Sequence, residues 1–213
     1  MNSSPETILA IESAICGGSL ALIKDLREVS TWVGTSSVSK AEDLLANIDN
    51  LLTESKVSRN ELDMIAVSAG PGSFTGIRIG IATALGLKAG LEIKMKTISV
   101  LESMVVTGIP AKLIVTSAVP IGRNMVCFQS FKIGDGSLTE VSKPESSLEA
   151  DFIQSIKDKR EEYFLLHSTL FEKGGSFQNT QNFEGNLATA VGINALLSLN
   201  QPDHEPMFIS TTV

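Results

Sequence analysis

A glycine-rich run, Gly70-Pro71-Gly72-Ser73-Phe74-Thr75-Gly76, stands between an apolar β-compatible stretch and a long apolar helical one. In that context backbone N–H groups at a helix N-terminus can hold phosphate oxygens. The details fit poorly: the spacing is GxGxxxG where a dinucleotide fingerprint has GxGxxG, no GK[ST] ending follows, and Pro71 has no N–H to offer. The run therefore reads as a structural turn that aims the helix, with Ser73 or Thr75 as its N-cap. Glu12, with Ser13 beside it at the end of the first apolar run, is the best-placed carboxylate for acid/base or metal–phosphate work, and a turn-bonding Glu at a strand end is the competing reading. His167 and His204 lie too far apart to form a local ligand pair, and no GxSxG elbow is present, so neither a metal site nor a Ser/His/Asp triad is expected. Cys16 and Cys127 lack CxxC spacing and read as small buried thiols of a reducing compartment.

The helix after the turn has no polar face. At about 100° per residue, the polar members Arg78, Thr83 and Lys88 are spread around the axis among Ile77, Ile79, Ile81, Leu85, Leu87 and Leu91. Each of those large side chains is worth about 1.5–3 kcal/mol when fully buried, so such a helix needs cover on more than one side. Gly76, Gly80 and Ala84 form one stripe of small residues, and Ala82, Gly86 and Gly90 another. One neighbour is expected to be the chain's own sheet and the second another protein. Arg78, in the first apolar turn, needs an acidic or carbonyl partner, within the chain or across an interface.

Upstream, apolar runs at 8–11 and 19–23 flank Cys16-Gly17-Gly18 as a hairpin, 27–32 supplies a third antiparallel strand, and 40–53 has the three- and four-residue spacing of an amphipathic helix. A buried strand at 62–69, the turn, the apolar helix and a strand at 94–100 follow, then a short helix at 101–106. Beyond 107–111, read as a boundary between residues 1–107 and 108–213, come strands at 112–117, 125–133 and 137–142. They are followed by a helix at 144–159, a strand at 163–167, a loop at 178–185 rich in Gly, Asn and Gln, a helix at 186–199 and a last strand at 206–210. Two α/β lobes are expected.

The 213 residues are 43% hydrophobic, enough for a real core. With 17 Lys and Arg against 24 Asp and Glu, net −7, the chain has little to offer a polyphosphate, so a role in RNA chemistry would need a basic partner. The N-terminus has no basic n-region and Glu12 interrupts its apolar run, which argues against a signal peptide. The run 76–91 is short for a bilayer and carries Arg78 and Lys88. A cytoplasmic protein, without membrane contact, is expected.

The segments ILAIESAICGGSLALI, KAEDLLANIDNLL, IAVSAGPGSFTGIRIGIATALGLKAGL and EPMFIS, and GPGSFTGIRIG above all, resemble the TsaB family of bacterial tRNA threonylcarbamoyladenosine biosynthesis proteins. The likeness is firm over 8–100 and looser beyond. It implies an α/β, actin/Hsp70-like ASKHA fold of two ribonuclease-H-like lobes. It also implies a noncatalytic paralogue that pairs with the TsaD transferase, meets tRNA only within the complex, is joined by the TsaE ATPase and needs no cofactor or metal of its own. The paralogues would meet through the helices at 40–53 and 76–90, with Leu45, Ile48, Leu52, Phe74, Gly76, Ile77, Arg78, Gly80, Ile81, Ala84 and Leu85 as expected interface residues and a homodimer expected when the partner is absent.

Several positions depart from the family pattern. Glu12 stands where the family has Asp, so Glu12 and Ser13 are at most a vestigial phosphate-site candidate. Lys40-Ala41-Glu42 replaces a His-Ser-Glu run, the segment from Pro120 to Cys127 keeps Arg123 but loses acids, and Phe208-Ile209-Ser210 replaces YLR. The alternative function is an independent ASKHA-type ATPase or phosphotransferase using Glu12 and the 70–76 turn. A peptidase-like activity lacks a triad or metal pair to support it.

Overall fold

The computed structural model describes residues 7–35, 41–108, 114–134, 137–157, 159 and 162–207. Strands β1 (Thr7–Glu12), β2 (Ser19–Lys24) and β3 (Arg27–Val33) form the expected antiparallel meander, and β4 (Met64–Ser68) and β5 (Lys94–Ile98) add in parallel on the other side of β1. The order is β3-β2-β1-β4-β5. Helices α1 (Ala41–Glu54), α2 (Phe74–Leu91) and α3 (Val100–Gly108) occur where periodicity placed them.

The second sheet repeats the plan. Strands β6 (Ile114–Gly122), β7 (Met125–Gly134) and β8 (Ser137–Glu140) are antiparallel neighbours, while β10 (Tyr163–His167) and β11 (Thr180–Phe183) extend the sheet in parallel beyond β6. Two elements correct the sequence reading. Residues 145–148, expected as the start of a helix, form β9 (Glu145–Leu148) because the long strand β7 offers an unpaired stretch from Met125 to Phe128, and α4 (Glu149–Lys157) begins only after it. Thr180–Phe183, expected in a loop, are polar but find a parallel partner in β10. A short helical segment, α5 (Ser168–Leu170), continuing through Phe171–Gly175, also lay outside the expectation. Residues 206 and 207 form no strand, and 208–210 lie outside the described residues, as do Lys40 and Ser210.

Period-two alternation divides the first sheet between two cores. Leu9, Ile11, Leu20 and Leu22 face α1 and α2 with Leu44, Ile48 and Leu52, while Ile8, Ala10, Ala21 and Ile23 face α3 and α6 (Leu187–Leu197). Helix α6 is apolar all round and nearly enclosed, and a Cβ on its Gly192 would meet Ala10 Cβ at 2.9 Å. The C-terminal segment thus returns to the first sheet. Its anchors are Lys96, whose buried ammonium donates to the carbonyls of Ser198 and, at 2.9 Å, Gln201, so a cation sits at the C-terminal end of α6. The His204–Glu102 contact at 2.8 Å and the Met207 N–H on Ala69 O at 2.8 Å continue the attachment.

Candidate functional site

The motif turn is built for packing. Gly70 holds a φ of +93°, a region open to glycine, and its N–H donates to Ser68 Oγ at 3.0 Å. Ser73 caps α2 by accepting from Gly76 N at 3.3 Å, as expected, while its own N–H donates to Ala14 O at 2.8 Å. A Cβ on Gly72 would fall 2.6 Å from Ala14 Cβ and one on Gly76 2.8 Å from Ala14 Cα, so the backbone of Ser13 and Ala14 lies directly in the glycine stripe. The buried Ser13 hydroxyl donates to Gly76 O at 2.8 Å. Amides that a phosphate would need at Gly70, Ser73 and Gly76 already serve acceptors of the chain itself, and Pro71 is buried beside them. Thr75 stays exposed.

The eleven expected interface residues separate by exposure. Ile48, Leu52, Gly76, Ile77, Gly80 and Ala84 are buried against the chain's own sheet and the β1–β2 turn, and within this fold none of them offers a surface. The reason is the inward stripe: Gly76, Gly80 and Ala84 let α2 come close to Ser13 and Val67. Ile81 is half-buried and touches both cores. Leu45, Phe74, Arg78 and Leu85 remain outside, with Leu45, Phe74 and Leu85 at 51%, 48% and 50% exposure. The Arg78 guanidinium lies 3.7 Å from the Phe74 ring centroid, a cation–π contact within the chain. Ala82, Gly86, Ala89 and Gly90 complete the outer face, and nothing stands within 4 Å of a Cβ built on Gly86 or Gly90.

Only 22% of α2 is buried. Its 18 residues and mean hydropathy of 1.2 suffice by length and composition to cross a bilayer, where the sequence suggested a shorter run, and it is the one such helix among the described residues. Its inner face is nonetheless packed on protein, with Ile77 and Ala84 fully covered.

Glu12 stands at the end of β1, 1% exposed. Its Oε1 accepts from Ala14 N at 2.7 Å and Ile15 N at 3.1 Å, so the turn-bonding reading holds, while Oε2 has no partner. Burial pushes the carboxyl up to about 8, against the two amide bonds. It opens on a cleft of about 250 Å³ shared with Cys16, Ser19, His167, Thr169 and Asn186. His167 accepts from Thr169 N at 3.3 Å through Nδ1, and burial lowers it to about 4, so it is neutral near pH 7. Cys16 corrects the expectation of two buried thiols: it is exposed at a φ of 44°, 3.8 Å from Thr169 Oγ1, whereas Cys127 is buried and pushed up to about 12. The meeting of His167 with Glu12 had no signal in the sequence, since 155 positions of chain separate them and only the tertiary fold brings the ends of β1 and β10 to one cleft. Pro120 lies in β6 and Arg123 in the β6–β7 turn, where Arg123 and Asn124 adopt φ of 51° and 56°. No group of three or more His, Cys, Asp or Glu suited to a metal occurs among the described residues.

Known proteins show the same arrangement. The family model described as "TsaD: tRNA N6-adenosine threonylcarbamoyltransferase" matches residues 36–178, more than half of the chain. The Bacillus subtilis (strain 168) protein named tRNA threonylcarbamoyladenosine biosynthesis protein TsaB is 26% identical over 168 residues, 78% of this chain and 73% of that protein. The Escherichia coli (strain K12) protein of the same name is 37% identical over 97 residues, 46% of this chain and 42% of its own length, so the match spans less than half of that relative. A Pseudomonas aeruginosa crystal structure described as an uncharacterized protein with similarity to peptidase YEAZ superposes with a TM-score of 0.71 at 18% identity, covering 96% of this chain and 100% of that one. The ethanolamine utilization protein EutJ from Carboxydothermus hydrogenoformans does so with a TM-score of 0.57 at 11% identity and 92% coverage of both. The fold is accordingly the α/β ASKHA fold, with its sheet plan given twice. With the glycine motif, the doubled sheet and these matches together, the chain belongs to the TsaB/YeaZ family of TsaD-related proteins.

Proposed function

We propose that this chain is a noncatalytic subunit in the formation of threonylcarbamoyladenosine in tRNA, pairing with a TsaD-like paralogue through the outer face of α1 and α2. The observation that carries the reading is the uncovered apolar face of α2, where Phe74, Leu85, Ala82 and Ala89 stay exposed beside Leu45 of α1. Exposed aromatic and aliphatic side chains around an arginine suit the core of a protein interface. The names of the curated relatives support the pathway, and the acidic balance of −7 suits a subunit that leaves tRNA contact to its partners. A TsaE-like ATPase joins the larger assembly in this reading, and the same face pairs two copies of this chain when the paralogue is absent.

The test mixes the purified chain with its cognate TsaD-like paralogue and follows co-elution and tRNA modification. Co-elution, with modification that needs this chain, is the expected outcome. Separate elution together with full modification in its absence would overturn the reading. The independent ATPase alternative predicts micromolar binding of ATP and magnesium by the isolated chain, and the engaged amides of the motif turn speak against it.

A further inference from the structure

The cleft at Glu12 has a neighbour. Gly185 and Asn186 line both it and a second cavity of about 580 Å³, walled by Phe171, Phe183, Asn182, Glu28 and Glu184, so the two adjoin along that segment. Among the described residues three buried side-chain atoms have no hydrogen-bond partner, Glu12 Oε2, Asn182 Oδ1 and Asn186 Nδ2, and all three belong to residues that line these two cavities. Each such atom stays desolvated without compensation until something meets it. The coincidence in one place is what points to a ligand.

The lining also says what kind. Among the described residues neither cavity has a Lys or Arg in its wall, while three glutamates line the two together. The first-turn amides of α6 that could attract an anion are taken: Ala188 N donates to Ser19 Oγ at 3.1 Å and Thr189 N to Asn186 Oδ1 at 3.1 Å. A phosphate is therefore disfavoured, and no three-ligand set for a metal occurs among the described residues. Asn182 Oδ1 asks for a donor and Asn186 Nδ2, whose Oδ1 is fixed as the helix cap, for an acceptor, while Glu12 Oε2 takes a donor such as an ammonium once the carboxyl has given up its proton. We propose that the adjoining cavities bind a small organic amine that also carries hydroxyl or carbonyl oxygen, with its ammonium on Glu12 and its oxygen on Asn186. This site is separate from the α1–α2 face and stands or falls independently of subunit pairing.

A cation on Oε2 favours the carboxylate, so binding near pH 7 drives a proton off Glu12. Among the described residues the other titratable groups of the two cavities are Cys16, His167, Glu28 and Glu184, and His167 stays neutral above about pH 4. Because Glu12 titrates at about 8, affinity rises by up to about tenfold per pH unit below that point and falls again once the amine itself gives up its proton. The full chain is titrated with serinol (2-amino-1,3-propanediol), and with glycerol as the same shape lacking the amine, by NMR chemical shift and by calorimetry in buffers of different ionisation enthalpy. Inorganic phosphate and magnesium chloride serve as the anion and metal controls. Expected are saturable shifts of the cleft amides at about millimolar serinol, release of up to one proton at pH 7, affinity rising with pH, and at least a tenfold weakening in Glu12→Gln. Equal binding of glycerol, tighter binding of phosphate or magnesium, affinity independent of pH in the wild-type chain, or no serinol binding overturns the proposal. The pH profile is read on the wild-type chain and does not depend on the variant folding.

Discussion

Helix α2 carries two stripes of small residues with opposite fates. Gly76 and Gly80 press on Ser13 and Ala14 so closely that no Cβ fits without movement, whereas Gly86 and Gly90 look onto open space. Identical residue types on one helix thus serve a close internal approach at one end and an uncovered surface at the other. A small-residue stripe signals that a backbone can come close, and says nothing of whose backbone it is. Here the inner stripe is claimed by the chain's own first turn, which leaves the outer one to the proposed subunit contact.

The contrast breaks most severely at Gly76→Val. Its branched side chain meets backbone atoms of Ser13 and Ala14, which have no flexible end to yield, and a loss of more than about 3 kcal/mol is expected in urea unfolding. Near-normal stability would mean that the inner contact is not tight.

Glu12→Gln comes next, since Glu12 holds the amides of the same Ser13–Ile15 turn. Between its ordinary value of 4.5 and about 8 the folded chain keeps a proton that the unfolded chain gives up, so stability falls as pH rises through that window and is flat above it. His167 has the opposite sign between 6.5 and about 4, where the unfolded chain is the one that holds the proton. The two slopes oppose one another from pH 4.5 to 6.5, and the net loss of stability appears from 6.5 to about 8. The Gln variant should be more stable at pH 7 by on the order of 3 kcal/mol and should lose that alkaline decline while keeping the acid one. Thermal melts across pH 5–9, roughly spanning both transitions, decide the matter, and an unchanged profile would place the titration elsewhere.

On the outer face the effects on stability are small. Gly86→Ala fills open space in a helix interior and should stabilise the isolated chain by about 0.5–1 kcal/mol. If the paralogue's backbone approaches there, the same variant weakens co-elution, and unchanged affinity would move the contact away from that stripe. Leu85→Asp should alter stability least, within about 0.5 kcal/mol, yet abolish self-association in light scattering; a dimer that persists would assign the homodimer to another face. Ile81→Asp is not an equivalent probe, because Ile81 packs into both cores.

Much of the fold was legible because long apolar runs and helical spacing survive any tertiary context. The β1–β2–β3 meander, α1, β4, α2 and the β6–β7–β8 strands fall close to where pattern alone places them. β9 and β11 were not legible: ESSL is mostly exposed and TQNF is polar, and each is a strand because a neighbour offers unpaired backbone groups. At the candidate sites Ser73 as cap and Glu12 as turn acceptor followed from residue type and position. The adjoining cavities did not, because their polar atoms come from β1, β11 and the cap of α6.

The sequence by itself determined that the segment after Gly76 is a helix with no polar side, since that is a property of local residue types at 3.6-residue spacing. It could not determine which side turns inward, because a helix apolar all round has no preferred direction toward a core. The tertiary structure decided it through the close fit of Gly72, Gly76 and Gly80 to Ser13 and Ala14, a contact across some sixty residues of chain that local propensity does not encode.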